Sequence, residues 1–160
     1  MDSVRIQELE AVNPHDIRGL SYEWMKGKEC GQLTLCYRKK NTLSGNHYHT
    51  GKDASKNPEL VLLISGQLRL ITCNGKDTIE QVVEKSPGEI MISPNILHTY
   101  KAISDIIFLE YRTSIYNPAD SDTFPVEVFE SYLKSRDMSV NEEAIKKFIE
   151  IKKSLCFTTP

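Results

Sequence analysis

Residues 59–73 read Glu59-Leu60-Val61-Leu62-Leu63-Ile64-Ser65-Gly66-Gln67-Leu68-Arg69-Leu70-Ile71-Thr72-Cys73. Two apolar runs of strand length flank a Ser-Gly turn signal, which predicts a β-hairpin. With Ser65-Gly66 as a two-residue turn, Ile64 pairs with Gln67, Leu63 with Leu68, Val61 with Leu70 and Glu59 with Thr72. Side chains two apart in a strand share a face, so Glu59, Val61, Leu63, Leu68 and Leu70 fall together. A carboxylate on such a face needs a cation or a proton, unless it sits at an open strand end and reaches water.

Further short runs continue in both directions. Gln32 to Arg38, a segment around His47-Tyr48-His49, Thr78 to Val83, Glu89 to Ile92, His98 to Ala102 and Ile106 to Arg112 all read as strands. Asn74-Gly75 predicts a hairpin with a type I′ turn, which needs positive φ at both central residues. Pro87-Gly88 opens another run. So many short, closely spaced strands argue for a closed barrel or a sandwich.

Taking Ser104-Asp105 as a second hairpin turn pairs Ala102 with Ile107, Tyr100 with Leu109 and His98 with Tyr111. His98, Tyr100 and Tyr111 then share a face with Ile107 and Leu109, and His98 points inward. His47 and His49, two apart in a strand, put two imidazoles on one side. Three imidazoles and one carboxylate, His47, His49, His98 and Glu59, suit a divalent transition metal (zinc, iron, nickel or manganese) with positions left for water or substrate. Calcium and magnesium prefer oxygen shells and fit less well.

From about residue 116 the pattern turns helical. A short helix is predicted over 126–133. Ser139-Val140-Asn141-Glu142 is a capping-box pattern, and Val140, Ala144, Ile145, Phe148 and Ile149 follow at helical spacing. The predicted organisation is a barrel over residues 1–115 and a helical extension over 116–160, packed on the barrel.

The 160 residues, 39% of them hydrophobic, fit one domain with its own core. Lys+Arg 20 against Asp+Glu 22 leaves a net charge of -2. This near-balance points away from nucleic acid and from an anionic membrane surface. No apolar run approaches the roughly 20 residues that span a bilayer, and Met1 to Glu10 does not read as a signal peptide. A cytoplasmic location is expected. The cysteines at 30, 36, 73 and 156 form no C-x-x-C pair and read as buried, reduced thiols.

At these residues the chain resembles the cupin superfamily. Its first motif is matched by Gly45-Asn46-His47-Tyr48-His49, then Glu59, then Ser65-Gly66. Its second is matched by Pro87-Gly88 through Pro94 to His98. The match spans roughly residues 30–112 and implies a single-domain jelly-roll barrel, mainly β, with a C-terminal helical tail. The stretch between His49 and Glu59 is longer than in a typical cupin, which leaves Asp53 as an alternative carboxylate. Asp16-Ile17-Arg18-Gly19 with Tyr22-Glu23-Trp24 is similar to the opening of cupins from nucleotide-sugar and capsule biosynthesis.

That narrower resemblance implies an isomerase or epimerase acting on a keto-sugar carried by a nucleotide. Tyr100 and Tyr111 would donate or return protons and the metal would polarise a carbonyl. Cupin folds host many activities. A metal-dependent dioxygenase of a small molecule and a non-catalytic ligand-binding cupin stand as the alternatives. A small molecule is the expected partner, and a homodimer the expected assembly.

Overall fold

The computed structural model describes residues 4–156 except 13, 16, 18 and 26, so Asp16 and Arg18 of the opening motif lie outside the described residues. Among the described residues, ten strands form two five-stranded sheets. The first has the order β1 (Val4–Glu8), β7 (Gly88–Ile92), β4 (Glu59–Ser65), β9 (Ile106–Arg112), β2 (Gln32–Arg38). The second has the order β10 (Phe124–Pro125), β3 (Leu43–Tyr48), β8 (Leu97–Ala102), β5 (Leu68–Cys73), β6 (Thr78–Val83). All pairings are antiparallel. The chain passes repeatedly from one sheet to the other, which is the jelly roll expected of a cupin.

This crossing corrects two predicted hairpins. β4 does not pair with β5, nor β8 with β9; each pair is split between the sheets. The Ser65-Gly66 and Ser104-Asp105 turns carry the chain across the barrel end rather than back along one sheet. The β5–β6 hairpin does form, but Cys73 pairs with Thr78. The loop therefore holds four residues, and within it only Gly75 has positive φ. It is not a two-residue type I′ turn, because Asn74 instead uses its side chain to accept from the amides of Lys76 and Asp77 at 2.9 and 2.8 Å.

Strand alternation sorts side chains onto two cores. Between the sheets lie Cys36, Val61, Leu63, Leu68, Leu70, Ile90, Ile92 and Phe108. On the outer face of the second sheet, Tyr48, Ile71, Cys73 and Leu97 meet Phe129 and Leu133 of α1 (Phe129–Ser135) and Ala144, Ile145 and Phe148 of α2 (Glu142–Cys156). The helical tail is thus the lid of a second hydrophobic layer. It also supplies a strand, since Phe124 pairs with Tyr48 and Pro125 with His47.

The cap of α2 is Asn141, not Ser139: its side chain accepts from Glu143 N at 3.1 Å. An Asn one residue before the helix satisfies the free amides directly. At the other end, buried Lys101 donates to the carbonyl of Leu155 at 2.9 Å, a cation on the negative end of the helix dipole. The four cysteines are unpaired; Cys36 and Cys73 are buried as expected, whereas Cys30 and Cys156 are exposed. No helix among the described residues is long and apolar enough to cross a membrane.

Candidate metal centre and its cavity

The histidine strand β3 carries a bulge. Pairing with β8 runs Gly45 to Thr99 and then His47 to His98, leaving Asn46 unmatched with φ of 71°. An extra residue in one strand shifts its alternation by one position. Ser44 before the bulge and His47 after it therefore both line the barrel interior. Gly45 is needed there: its φ is 83°, and a Cβ would lie 3.0 Å from the carbonyl oxygen of His98. Tyr48 turns to the helical side and His49 turns back in.

Glu59 opens β4, and His98 is the second residue of β8. All reach the same end of the barrel. One ligand atom from each of His47, His49, Glu59 and His98 lies within 4.8 Å of the others. The three rings sit with centroids 4.6 to 5.5 Å apart. His49, Glu59 and His98 are buried.

Second partners decide how the rings are presented. His49 Nδ1 donates to the carbonyl of Asp122, and His98 Nδ1 donates to the carbonyl of Ile96 at 3.0 Å. A neutral imidazole with Nδ1 protonated has a bare lone pair at Nε2. Both Nε2 atoms nonetheless face Glu59, His49 to Oε1 at 3.3 Å and His98 to Oε2 at 3.2 Å. His49 Nε2 is buried and has no hydrogen-bond partner. A neutral ring here turns an acceptor toward a carboxylate, an arrangement that a cation between them would satisfy, whereas a doubly protonated ring donates to Glu59 itself; backbone carbonyls that fix ring orientation are the usual outer layer of a metal site. The donor set fits a divalent transition metal.

Burial and neighbouring charges act on two members of the cluster. Burial first, then repulsion from His98 and His49, pushes His47 down to about 3, so its ring is neutral. Burial alone would raise Glu59; the contacts from His49 and His98 and the charge of Lys56 outweigh it and hold the carboxyl well below its ordinary range.

Below the cluster a cavity of about 170 Å³ runs into the barrel. Its polar wall consists of Ser44, Tyr100, Glu110 and Arg38, and its apolar wall includes Val61, Leu70, Ile90 and Phe108. Burial, reinforced by Glu110, holds the Tyr100 phenol far above its ordinary range, so it stays protonated. Arg38 Nε donates to Ser44 Oγ at 3.1 Å while its guanidinium lies over the Phe108 ring.

The structure thus gathers His47, Glu59, His98 and Tyr100 around one cavity, with His49 joining the cluster at its end. It does not bring Tyr111 there. Phe108 and Glu110 are the inward residues of β9, and Tyr111 points to the opposite face, edge-on to Trp24 with centroids 6.2 Å apart. The predicted inward face of β9 rests on a β8–β9 hairpin that does not exist. Trp24, from the opening motif, instead buttresses the outside of the sheet and donates to Glu89 at 2.6 Å.

Asp53 is not in the cluster either. It accepts from Ser55 N and Oγ at 2.8 and 2.6 Å and from Arg112 Nη1 at 3.1 Å. These contacts fold the long 50–58 loop across the barrel mouth. Burial would raise the Asp53 carboxyl; the Ser55 bonds and the Arg112 charge overcome it and hold it below its ordinary range. Because the folded-state carboxyl is the more acidic one, its contribution is complete above the unfolded-chain value near 3.9 and fades as pH falls through the lower folded value. Asp53→Asn is therefore expected to cost about 1–2 kcal/mol at pH 7, less than a fully buried charged hydrogen bond. The difference from wild type should shrink below pH 4, read by urea denaturation at each pH.

Sequence reasoning missed Asp122, Glu110 and Lys56. Asp122 is buried and its carboxyl accepts from Thr50 N and Oγ1 at 2.9 and 2.6 Å and from Asp53 N at 3.1 Å. One residue thus holds both the loop and, through its carbonyl, His49. Lys56 is 2% exposed and bonds Glu59 Oε1. Alternation from Phe108 would have found Glu110; nothing local marks the other two.

The Polysaccharide biosynthesis C-terminal domain family matches residues 14–124. The chain belongs to this family. Among solved structures, this family member is similar to a 3,4-ketoisomerase from Helicobacter canadensis. They share 17% identity, with 84% of this chain and 98% of that one covered and a TM-score of 0.67. A TDP-quinovose 3,4-ketoisomerase from Campylobacter jejuni is 18% identical, with 81% and 98% covered and a TM-score of 0.64. A dTDP-4-dehydrorhamnose 3,5-epimerase from Sulfolobus tokodaii is 16% identical, with 74% and 75% covered and a TM-score of 0.56. At these identities the likeness establishes a shared cupin jelly roll. No curated protein matches the chain.

Proposed function

We propose that the chain is a metal-binding isomerase or epimerase that acts on a keto-sugar held by a nucleotide. The observation that carries the metal part is the convergence of one ligand atom each from His47, His49, Glu59 and His98 within 4.8 Å, with the His49 and His98 rings anchored at Nδ1 by backbone carbonyls so that Nε2 faces Glu59. His47, His49, His98 and Glu59 would hold the ion, and zinc, iron, nickel or manganese are all compatible with that set. A bound ion would supply Lewis-acid polarisation of a carbonyl oxygen.

The other groups suit proton transfer next to a carbonyl. Tyr100 keeps its proton and offers it to the cavity, and Glu110 stands on the same wall as an acceptor. Arg38 and Ser44 are placed to orient hydroxyl or carbonyl oxygens. The cavity is well below the roughly 300–1,000 Å³ of a site for a drug-sized ligand, so it takes the sugar ring while the nucleotide lies outside. The structural neighbours support this substrate class, since two of them are described as 3,4-ketoisomerases in complex with TDP.

The test is a panel of 4-keto-6-deoxy and related keto-sugar nucleotides incubated with zinc-loaded protein in D2O. Deuterium incorporation beside the carbonyl, read by NMR, is expected for wild type and is expected to drop by about 10²–10⁴-fold for Tyr100→Phe, the range of a lost acid–base group. His47→Ala is expected to lose stoichiometric zinc by elemental analysis. No exchange into any substrate, with metal demonstrably bound, rejects the isomerase reading.

A further inference from the structure

The long 50–58 loop brings a lysine into the centre of the cluster. Lysine is almost never fully buried unless paired, yet Lys56 is 2% exposed and its ammonium bonds Glu59 Oε1. The loop fixes it there. Lys56 N donates to the Asp53 carbonyl at 2.8 Å, and Lys56 bridges to Glu59 across a tight turn. Asp53 is in turn held by Arg112 and Ser55, and the loop's start by Asp122.

Two consequences follow for a cation at this place. Glu59 has two oxygens; Oε2 faces His98, while Oε1 is shared by His49 and Lys56. A metal drawing on Oε1 must take it from an ammonium. The Glu59 carboxylate is the charge that draws a dication to the three imidazoles. Lys56 cancels that charge from one carboxylate oxygen away, where little water screens it.

We propose that Lys56 is a built-in competitor for the metal, occupying Glu59 Oε1 so that a divalent cation binds weakly and gains its full carboxylate ligand only when Lys56 lets go. This rests on the metal reading above and makes the centre a labile one, loaded according to the free metal concentration. Such a device is a property of this chain's extended loop rather than of the four ligands.

The experiment is a zinc competition titration against a chromophoric chelator, on EDTA-stripped full-length protein. Lys56→Met removes the charge at similar length. Lys56→Gln removes it but keeps a hydrogen-bond donor, and serves if the methionine variant does not fold. Both are expected to bind zinc about tenfold tighter or more, within the 10–100-fold by which outer groups tune metal sites. Lys56→Arg, which keeps the charge, is expected to show no gain. Wild type that binds zinc, with charge-removing variants that bind it no tighter, overturns the competitor role and leaves the metal reading standing. If wild type, the Lys56 variants and a His47→Ala/His98→Ala control all fail to bind zinc, the metal reading itself falls and this proposal with it.

Discussion

Glu59→Ala is expected to cost about 3–5 kcal/mol of folding stability in metal-free protein, the scale of a buried ion pair deprived of one partner. The side chains of Lys56 and Glu59 are 2% and 5% exposed. Deleting the carboxylate leaves an ammonium with no countercharge in a place it cannot leave without opening the loop. The loop, in turn, is fastened by Asp122 and Arg112. The compensating change is to remove both charges. Lys56→Met combined with Glu59→Leu fills the same volume with apolar atoms, and such replacements of buried pairs are often neutral or stabilising. The double variant is therefore expected to regain most of what Glu59→Ala loses, while still failing to bind zinc. Urea denaturation in EDTA reads the stabilities. A loss below about 1 kcal/mol for Glu59→Ala, the range of an exposed pair, would mean that Lys56 reaches water in solution and is not locked on the centre.

Much of this site is legible in the amino-acid sequence, and the reason is strand alternation. Glu59, Val61 and Leu63 do face one interior, as do His98, Tyr100 and Ala102, because each face is set within a single strand. Partnership between strands is a different matter. A Ser-Gly or Ser-Asp turn after an apolar run is equally compatible with a hairpin in one sheet and a step across to the other. The two predicted hairpins fail on that ambiguity. The error spreads only where phase is borrowed from a partner: β9 is turned inside out, which admits Tyr111 and leaves out Phe108 and Glu110. Lys56 and Asp122 are illegible for a further reason. Their positions depend on how a loop and a tail are routed over the barrel mouth, and no periodicity reports that. Asn141, by contrast, is visible as a capping residue inside the Ser139–Glu142 pattern, displaced by two positions.

The misread turns lead to the second large effect, at the opposite end of the barrel from the candidate metal centre. Gly66 has φ of 87°, and a Cβ placed on it would lie 2.3 Å from the carbonyl oxygen of Asp105. That oxygen cannot move away cheaply. The Gly66 and Ser104 turns are tied to each other by Ile103 N to Gln67 O at 2.9 Å and Gln67 N to Ser104 Oγ at 3.0 Å. The Asp105 side chain also accepts from Tyr37 at 2.6 Å and from Lys40 N at 2.8 Å. Gly66→Ala is therefore expected to lose stability twice over: about 1–2 kcal/mol for a left-handed residue with a Cβ and about 1–3 kcal/mol for overpacking. A total near 2–5 kcal/mol should appear as a lower urea midpoint at unchanged slope. Because His47, Glu59 and His98 stand at the far end of their strands, zinc affinity of the folded variant should stay at the wild-type value. A stability loss accompanied by weakened zinc binding would show that the two ends of the barrel are coupled through β4 and β8. Two crossovers that brace each other at the closed end would then also set the spacing of the ligands at the open one.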